Sequence, residues 1–460
     1  MRKSFSPIYL LLLCTMQASS LMDHLKHNDQ LQLQRGFRQY HNLSLFIKPW
    51  PIIPNVDTNS ANITAFPTLH IWQNKPIQSF GVRAVGEMKI LSFMAEPVVV
   101  NDSYGPDLLG TDYVRSGISG RITNAFIRYE SDLMSLQLGR SPVWWGQSWN
   151  HSIIQTGSTP AYDHMDLRLN FGRFQLEMLS GQLGSELLNG KRIKRNIAGH
   201  RLTWISKDGK LLAGFGEQII YTGQNRTIEW HYLNPVVPYF FSGLEGDEES
   251  SDESDNDNSI VFATIRYVPK PNLSFFSELI VDDFQVDNNN LQDGLGYKIG
   301  ADGAFNISGN PITWVLEWTS INSWTYIHHG QFTSWQNRGH AIGYPYGPDL
   351  RSLYVQAEMW LNKFLLINLE ADWMEKGFNT LSTEWANSDN RNDPFPILPI
   401  TRHTLFVTSL SWYWERGIVE AGWSNYPFPN EIAFSDPHSE TEGNFFLKAQ
   451  LFYDFWFDLN

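Results

Sequence analysis

The chain has 460 residues, with 34 Lys plus Arg against 48 Asp plus Glu and a formal net charge of −14. Only 18% of residues are charged while 14% are aromatic. This excludes a disordered protein, and the acidic balance gives nucleic acid no electrostatic footing. A single cysteine, Cys14, excludes a disulfide framework and any multi-cysteine metal site.

Arg2 and Lys3 precede an apolar run over 8–16, and the small residues Ala18, Ser19 and Ser20 follow it. This is the pattern of a secretory signal over 1–20, too short to span a bilayer as a stable helix. Residues 21–78 are interrupted by Pro49, Pro51, Pro54 and Pro76. They read as a periplasmic or plug segment, or as two further strands. Beyond the signal no apolar stretch approaches the roughly 18 residues of a membrane helix. The mature chain is therefore either soluble and exported or a membrane-spanning closed barrel, the other architecture that satisfies its backbone hydrogen bonds in lipid.

From Ser79 onward many segments alternate with period two. In 164–171, Met165, Leu167, Leu169 and Phe171 stand opposite His164, Asp166, Arg168 and Asn170. Segments 352–361, 364–375 and 445–457 repeat the pattern, and Arg168, Glu177, Arg201, Glu317, Glu358, Glu370, Asp372 and Lys448 recur on the polar face. Alternation makes strands with one apolar face; it does not separate a soluble sandwich from a barrel. The connections do. Tight ones at 131–132, 172, 207–209, 269–271, 306–310, 362–363 and 415–416 alternate with long ones at about 95–122, 142–163, 182–197, 223–259, 284–294, 323–351, 377–401 and 427–443. That is the asymmetry of outer-membrane barrels, with short periplasmic turns and long extracellular loops. The fold class is all-β: a transmembrane antiparallel up-and-down β-barrel of 16–18 strands over 79–460, placed in the outer membrane of a Gram-negative-type envelope. Trp144, Trp145, Trp314, Trp318, Trp373, Trp412, Trp414, Trp423, Phe455 and Trp456 lie near strand ends, where rings form a headgroup-level girdle. The acidic run 245–258 falls in the longest loop. It lacks the spaced calcium-loop pattern and reads as a solvated segment.

Three loops carry distinctive residues. The first, 138–167, holds Gly139, Arg140, Trp144, Trp145, Gly146, Ser158, Thr159 and Pro160. The second, 337–353, holds Gly339, Ile342, Gly343, Gly347, Pro348 and Asp349; the third, 229–239, holds Asn234 and Pro235. Over about 100–460 the chain resembles the Wzi-type capsule assembly family, outer-membrane barrels that help hold capsular polysaccharide at the cell surface. The resemblance implies capsular or other surface polysaccharide as partner. A barrel of this kind also meets outer-membrane lipid and the barrel-assembly machinery.

The side chains of these loops suit sugar contact, since indole faces stack on pyranose rings and Arg, Asn, Gln and Asp bond hydroxyls or acidic groups. The candidate polysaccharide-binding residues are Arg140, Trp144, Trp145, Gln147, Trp149, Asn150, Trp335, Arg338, Asp349 and Arg351. The "WWG" turn reads equally as a structural latch in which Gly146 permits an unusual backbone angle. The leading function is a non-enzymatic barrel that binds surface polysaccharide and assists capsule assembly or attachment. The alternative is a porin or diffusion channel, because charges on the polar face suit a wet lumen. Enzymatic function has little support. His151 and Ser152 are chain neighbours, no "GxSxG" elbow occurs, and His328, His329 and His340 lack a zinc-motif spacing. No cofactor or metal is expected.

Overall fold

The computed structural model describes residues 60–458 apart from 73–74, 102–108, 112, 158, 225, 240–255, 271, 284–292, 309, 329–331, 363, 384–393, 415 and 427–442. The expected signal over 1–20, residues 21–59, Ser158, His329 and most of the acidic run lie outside the described residues.

Eighteen antiparallel strands close a barrel. The first six are β1 Ser60–Trp72, β2 Lys75–Met88, β3 Leu91–Asn101, β4 Ile118–Glu130, β5 Met134–Ser141 and β6 Tyr162–Phe171. Then follow β7 Phe174–Gln182, β8 Lys191–Ile205, β9 Leu211–Gly223, β10 Asn256–Lys270, β11 Leu273–Asp283 and β12 Gly294–Ile307. The last six are β13 Asn310–Ile321, β14 Leu350–Trp360, β15 Leu365–Lys376, β16 Thr401–Trp414, β17 Gly417–Ser424 and β18, which runs over Asn444–Leu451 and Tyr453–Asp458 with a break at Phe452. Each strand pairs with its chain neighbours, and β1 closes the ring on β18, with Ser60 opposite Asp458 and Trp72 opposite Phe446. Both chain ends of the barrel therefore stand on the short-turn side, as the loop rhythm requires.

Alternation sets the two faces. Along β14, Ser352, Tyr354, Gln356 and Glu358 are buried, while Leu353, Val355, Ala357 and Met359 point the other way. Outward positions carry exposed apolar side chains, such as Phe215 at 63% and Leu138 at 53%; in a bilayer these meet lipid. All eight charges expected on the polar face lie on the inner side. Several are paired there, as in Arg201 with Glu177 and Lys298 with Glu317.

Two expectations change. The stretch 79–94 is not one strand, because the chain turns at Lys89 and Ile90 between β2 and β3. This turn uses Lys89 at φ +50° and contains none of the usual turn residues, so composition does not signal it. Consequently 60–78 forms β1 and the start of β2, and the loop expected at 95–122 starts only after Asn101. The connection expected at 182–197 is a short hairpin in which Glu186–Leu188 pairs with Lys191–Ile193.

The lumen is filled. A barrel of 16–18 strands is wide enough to hold an aqueous channel. Here the inward Glu278, Lys298 and Glu317 are only 0%, 1% and 1% exposed. The covering comes from the long connections after β5 and β13, which fold into the barrel. Trp145, Ile153, Ile154, Trp335, Ile342 and Tyr344 from these loops pack in one cluster with Ile197, Phe262 and Ile280 of the wall.

Candidate functional site: loops locked in the lumen and a cationic mouth

The loop after β5 enters as a two-residue ribbon, with Trp144–Trp145 paired to Gln155–Thr156. Its tip, 146–154, points at the wall. Backbone N–H groups at such a tip have no ladder partner and need acceptors. The Glu278 carboxylate supplies them: it accepts from the N–H of Gln147 at 2.5 Å, of Ser148 at 2.7 Å and of Ile153 at 3.0 Å, and from the Ser152 hydroxyl at 3.0 Å. Glu317 accepts from the N–H of Trp149 at 2.6 Å and of Asn150 at 3.3 Å. Lys298 pairs with Glu317 at 2.8 Å and donates to the His151 carbonyl at 2.6 Å. Arg266 donates to the Gln147 carbonyl at 2.5 Å and is itself paired with Asp302 at 2.8 Å.

Gly146 makes the approach possible. Its φ is +153°, and an added Cβ would stand 2.1 Å from the Ser152 Oγ and 2.6 Å from Glu278 Oε1. Only a residue without Cβ reaches the carboxylate this way. The latch reading of the turn therefore has a geometric basis.

The second loop, 322–349, is held in the same manner. The buried Arg195 donates to the carbonyls of Phe332 at 2.7 Å and of Ser334 and Gln336 at 2.9 Å. The two loops also join each other. Thr156 N–H bonds the Ile342 carbonyl at 2.9 Å, Tyr326 OH donates to the Ile153 carbonyl, and the Asn337 amide donates to the Pro160 carbonyl at 2.8 Å. Wall charges thus meet loop dipoles, and the buried His151 and tyrosines of the loops are held in their neutral forms. Burial, with Lys298 adding to it, holds the His151 ring well below its usual pKa. Burial likewise pushes the phenols of Tyr326, Tyr344 and Tyr346 upward.

The ten candidate residues separate into four groups. Trp144, Trp145, Gln147, Asn150 and Trp335 are buried in the lumen, with Trp149 half-buried beside them. Trp144 and Trp145 accordingly leave the expected girdle: the Trp145 Nε1–H donates to Glu177 at 2.8 Å, and Arg201 lies 5.0 Å over its ring. Asp349 is buried at the end of the second loop, at φ +60°, accepting from Ser323 Oγ and the N–H groups of Asn379 and Ile397. Arg140 and Arg351 project from the outer wall, the first paired with Asp163 at 2.6 Å and the second 4.7 Å over the Phe395 ring. Arg338 alone among the ten is exposed. It forms the tip of a small hairpin in which Gln336–Asn337 pairs with His340–Ala341.

Sequence reasoning missed two features. The lumenal anchors Glu278, Lys298, Arg266 and Arg195 sit on inward strand positions, but period two does not tell which inward residues receive a loop. The second is a cationic hairpin at the mouth. Lys191 and Arg192 are exposed, and their hairpin meets the Arg338 tip, since Gly184 N–H bonds Asn337 Oδ1 at 2.8 Å. The run "KRIKR" over 191–195 was the available signal.

An apolar outer belt, a charge-lined inner wall and a lumen filled by the chain's own loops define a plugged β-barrel of the outer-membrane type. Residues 78–432 match the family of the capsule assembly protein Wzi, and the chain belongs to that family. Among solved structures it is similar to one described as Wzi, an outer membrane protein involved in group 1 capsule assembly in Escherichia coli and a carbohydrate-binding β-barrel. The two are 13% identical, with a TM-score of 0.59 and coverage of 94% of this chain and 98% of that one; at this identity the likeness shows the shared fold. Lower similarity extends to OpdK of Pseudomonas aeruginosa (7% identity, TM-score 0.47, 87% and 100% covered). OccAB4 of Acinetobacter baumannii is comparable (9% identity, TM-score 0.45, 88% and 99% covered). None of the curated protein sequences matches the chain.

Proposed function

We propose that this chain is a non-enzymatic outer-membrane barrel that holds surface polysaccharide at the cell exterior and assists capsule assembly or attachment. The observation that carries the reading is the filled lumen. With its wall charges engaged by inward loops, the barrel's working surface is its outer mouth rather than a channel. This disfavours a diffusion channel. The mouth offers Arg338, Lys191 and Arg192, cations suited to the carboxylates or other anionic groups of acidic sugars. In this reading Trp144, Trp145, Gln147, Trp149, Asn150, Trp335 and Asp349 hold the platform that presents Arg338. Arg140 and Arg351 flank it on the outer wall.

The test is capsule retention in the strain that carries this chain. Deletion should release polysaccharide into the medium, and the wild-type chain should restore retention. A barrel carrying Lys191→Ala, Arg192→Ala and Arg338→Ala should insert normally yet fail to restore it. Equal retention with and without the chain would overturn the reading.

A further inference from the structure

The segment 226–239 lies outside the barrel, not above it or within it. The inward Asn258 bonds the lumenal loop through Thr333, so its neighbour Asp257 points outward, and Asp257 is where the segment is tied. Arg226 pairs with Asp257 and with Glu229, the latter at 2.7 Å, and Tyr232 OH also donates to Asp257. Tyr239 OH donates to the Tyr232 carbonyl at 2.9 Å. Tyr232 and Tyr239 pack on Ala198, Ile219 and Tyr221, the outward residues of β8 and β9. Short turn 231–233 reaches across β8 to β7. Beneath this strap the wall also carries a polar pair, His200 and Glu217 at 3.0 Å, with the Tyr239 ring 4.8 Å from that of His200.

The strap sits at the edge of the lipid-facing wall. Two residues further down each strand, the outward positions are the exposed Phe215 and Leu202. On the adjoining strands the outward Arg140–Asp163 pair marks the same polar rim, and Asp163 is in register with Gln182, itself in register with Asn196. The strap's free side is unlike a water-facing loop. Trp230 is 85% exposed, Val236 82% and Ile228 55%; among the segment's exposed residues the one ionisable side chain is His231, which lies 3.4 Å from Glu229.

We propose that the segment 226–239 is an interfacial anchor, seated at headgroup level on the barrel's outer wall with Ile228, Trp230 and Val236 inserted into the outer leaflet of the membrane the barrel spans. The outward positions beneath the strap lead, two residues further down each strand, to the exposed apolar Phe215 and Leu202, which face lipid in a bilayer. An indole with a polar N–H suits the headgroup boundary. The exposed face carries no lysine, arginine or carboxylate, and its exposed imidazole, His231, lies 3.4 Å from the Glu229 carboxylate, so little desolvation cost opposes seating at the headgroup level. The strap also keeps lipid tails from the His200–Glu217 pair.

The anchor is tested by depth measurement. Trp230→Cys and Val236→Cys, each in a Cys14→Ser background, are spin-labelled and reconstituted in lipid nanodiscs. Power saturation compares oxygen, which partitions into lipid, with a water-soluble nickel chelate. Phe215→Cys is the lipid-facing reference and Arg338→Cys the aqueous one. The oxygen-to-nickel ratio at 230 and 236 should approach that at 215 and exceed that at 338 by about threefold. A ratio equal to that at 338 overturns the proposal, as does shielding from both reagents, which would mean that protein covers the strap. Should either cysteine variant fail to fold, the native chain and Trp230→Phe are compared in bilayers of bromine-tailed lipid. The substitution should lower the quenched fraction of tryptophan emission, and no change overturns the anchor.

Discussion

Lys298 and Glu317 pair at 2.8 Å across two adjacent strands, both withdrawn from water, and both also bind the loop that enters the lumen between Gly146 and Ile154. The pair is thus satisfied twice, by each other and by the backbone of the plug. Removing one partner leaves a buried charge alone, at a cost of about 3–5 kcal/mol. Lys298→Met and Glu317→Leu should each lower the temperature at which the detergent-solubilised barrel loses its folded gel mobility. The double variant should lose less than the sum of the two, because no uncompensated charge remains, while the Trp149 and Asn150 N–H groups still lack their acceptor. Additive losses in the double variant would contradict this account.

Glu278 faces a different outcome, since its carboxylate serves the loop more than the wall. It accepts three backbone N–H groups and one hydroxyl from 147–153. Glu278→Ala leaves those donors without their acceptor in a buried site, which costs about 1–3 kcal/mol for each unsatisfied group. The barrel should still assemble, with the loop displaced from its seat. In planar bilayers the wild-type chain should be nearly silent and Glu278→Ala should show frequent openings. Identical, silent traces would mean that the apolar cluster around Trp145 and Trp335 holds the plug by itself.

Gly146→Ala tests the same seat from the loop side. The added methyl would stand 2.1 Å from Ser152 Oγ, at a backbone angle that L side chains rarely adopt. Strain of about 1–3 kcal/mol is expected. Openings like those of Glu278→Ala should appear with the barrel's heat stability little changed, because the strands are untouched.

How much of this was legible in the sequence follows from periodicity. Period two divides lipid from lumen for any strand, so the inward placement of Arg168, Glu177, Glu370 and Asp372 could be read directly. The turn at Lys89 and Ile90 escaped because it lacks turn residues, and the first strands were mis-segmented in consequence. Loops carry no such period. The "WWG" motif announced a constrained turn but not its direction, and nothing in the spacing of Trp144 and Trp145 tells headgroups from lumen. The deciding groups are Glu278, Glu317 and Lys298, more than a hundred residues away on strands where they look like any other inward charge. The outward Asp257 that ties down the strap was likewise hidden inside an acidic run that reads as solvated.

The plug should also loosen in acid. His151 is enclosed by the loop, and burial together with nearby Lys298 holds its pKa well below 6.5. Its ring lies 5.8 Å from that of Tyr344 and 6.3 Å from that of Tyr346. The seated loop therefore keeps His151 neutral, whereas a released loop titrates near 6.5. The released state binds the extra proton, so stability of the seat is fully present above about pH 6.5 and falls by about 1.4 kcal/mol for each unit below it. Bilayer openings should increase between pH 7.5 and pH 5 in the wild type and respond far less in His151→Gln. An equal acid response in both would assign the effect to other groups.

The mouth cations make a prediction independent of the plug. Arg338 is held out by a two-residue hairpin whose φ at 338 is +53° and whose neighbour Gly339 is at +79°. Its guanidinium reaches the Gly110 carbonyl at 3.2 Å, a single contact that leaves most donors open to water. Lys191 and Arg192 stand on the hairpin joined to it through Asn337. Exposed cations attract an anionic chain through screened charge, so the attraction weakens with salt over a Debye length of about 8–10 Å. Immobilised barrel should retain an acidic polysaccharide more strongly than a neutral one, and the difference should shrink as salt rises. Arg338→Ala should weaken retention of the acidic chain about three- to tenfold, leaving heat stability and bilayer silence unchanged. Arg338→Lys should recover part of the loss, because charge is kept while the planar fork is not. Retention that ignores salt, or survives loss of all three cations, would point to stacking and neutral hydrogen bonds elsewhere on the outer surface as the source of the grip.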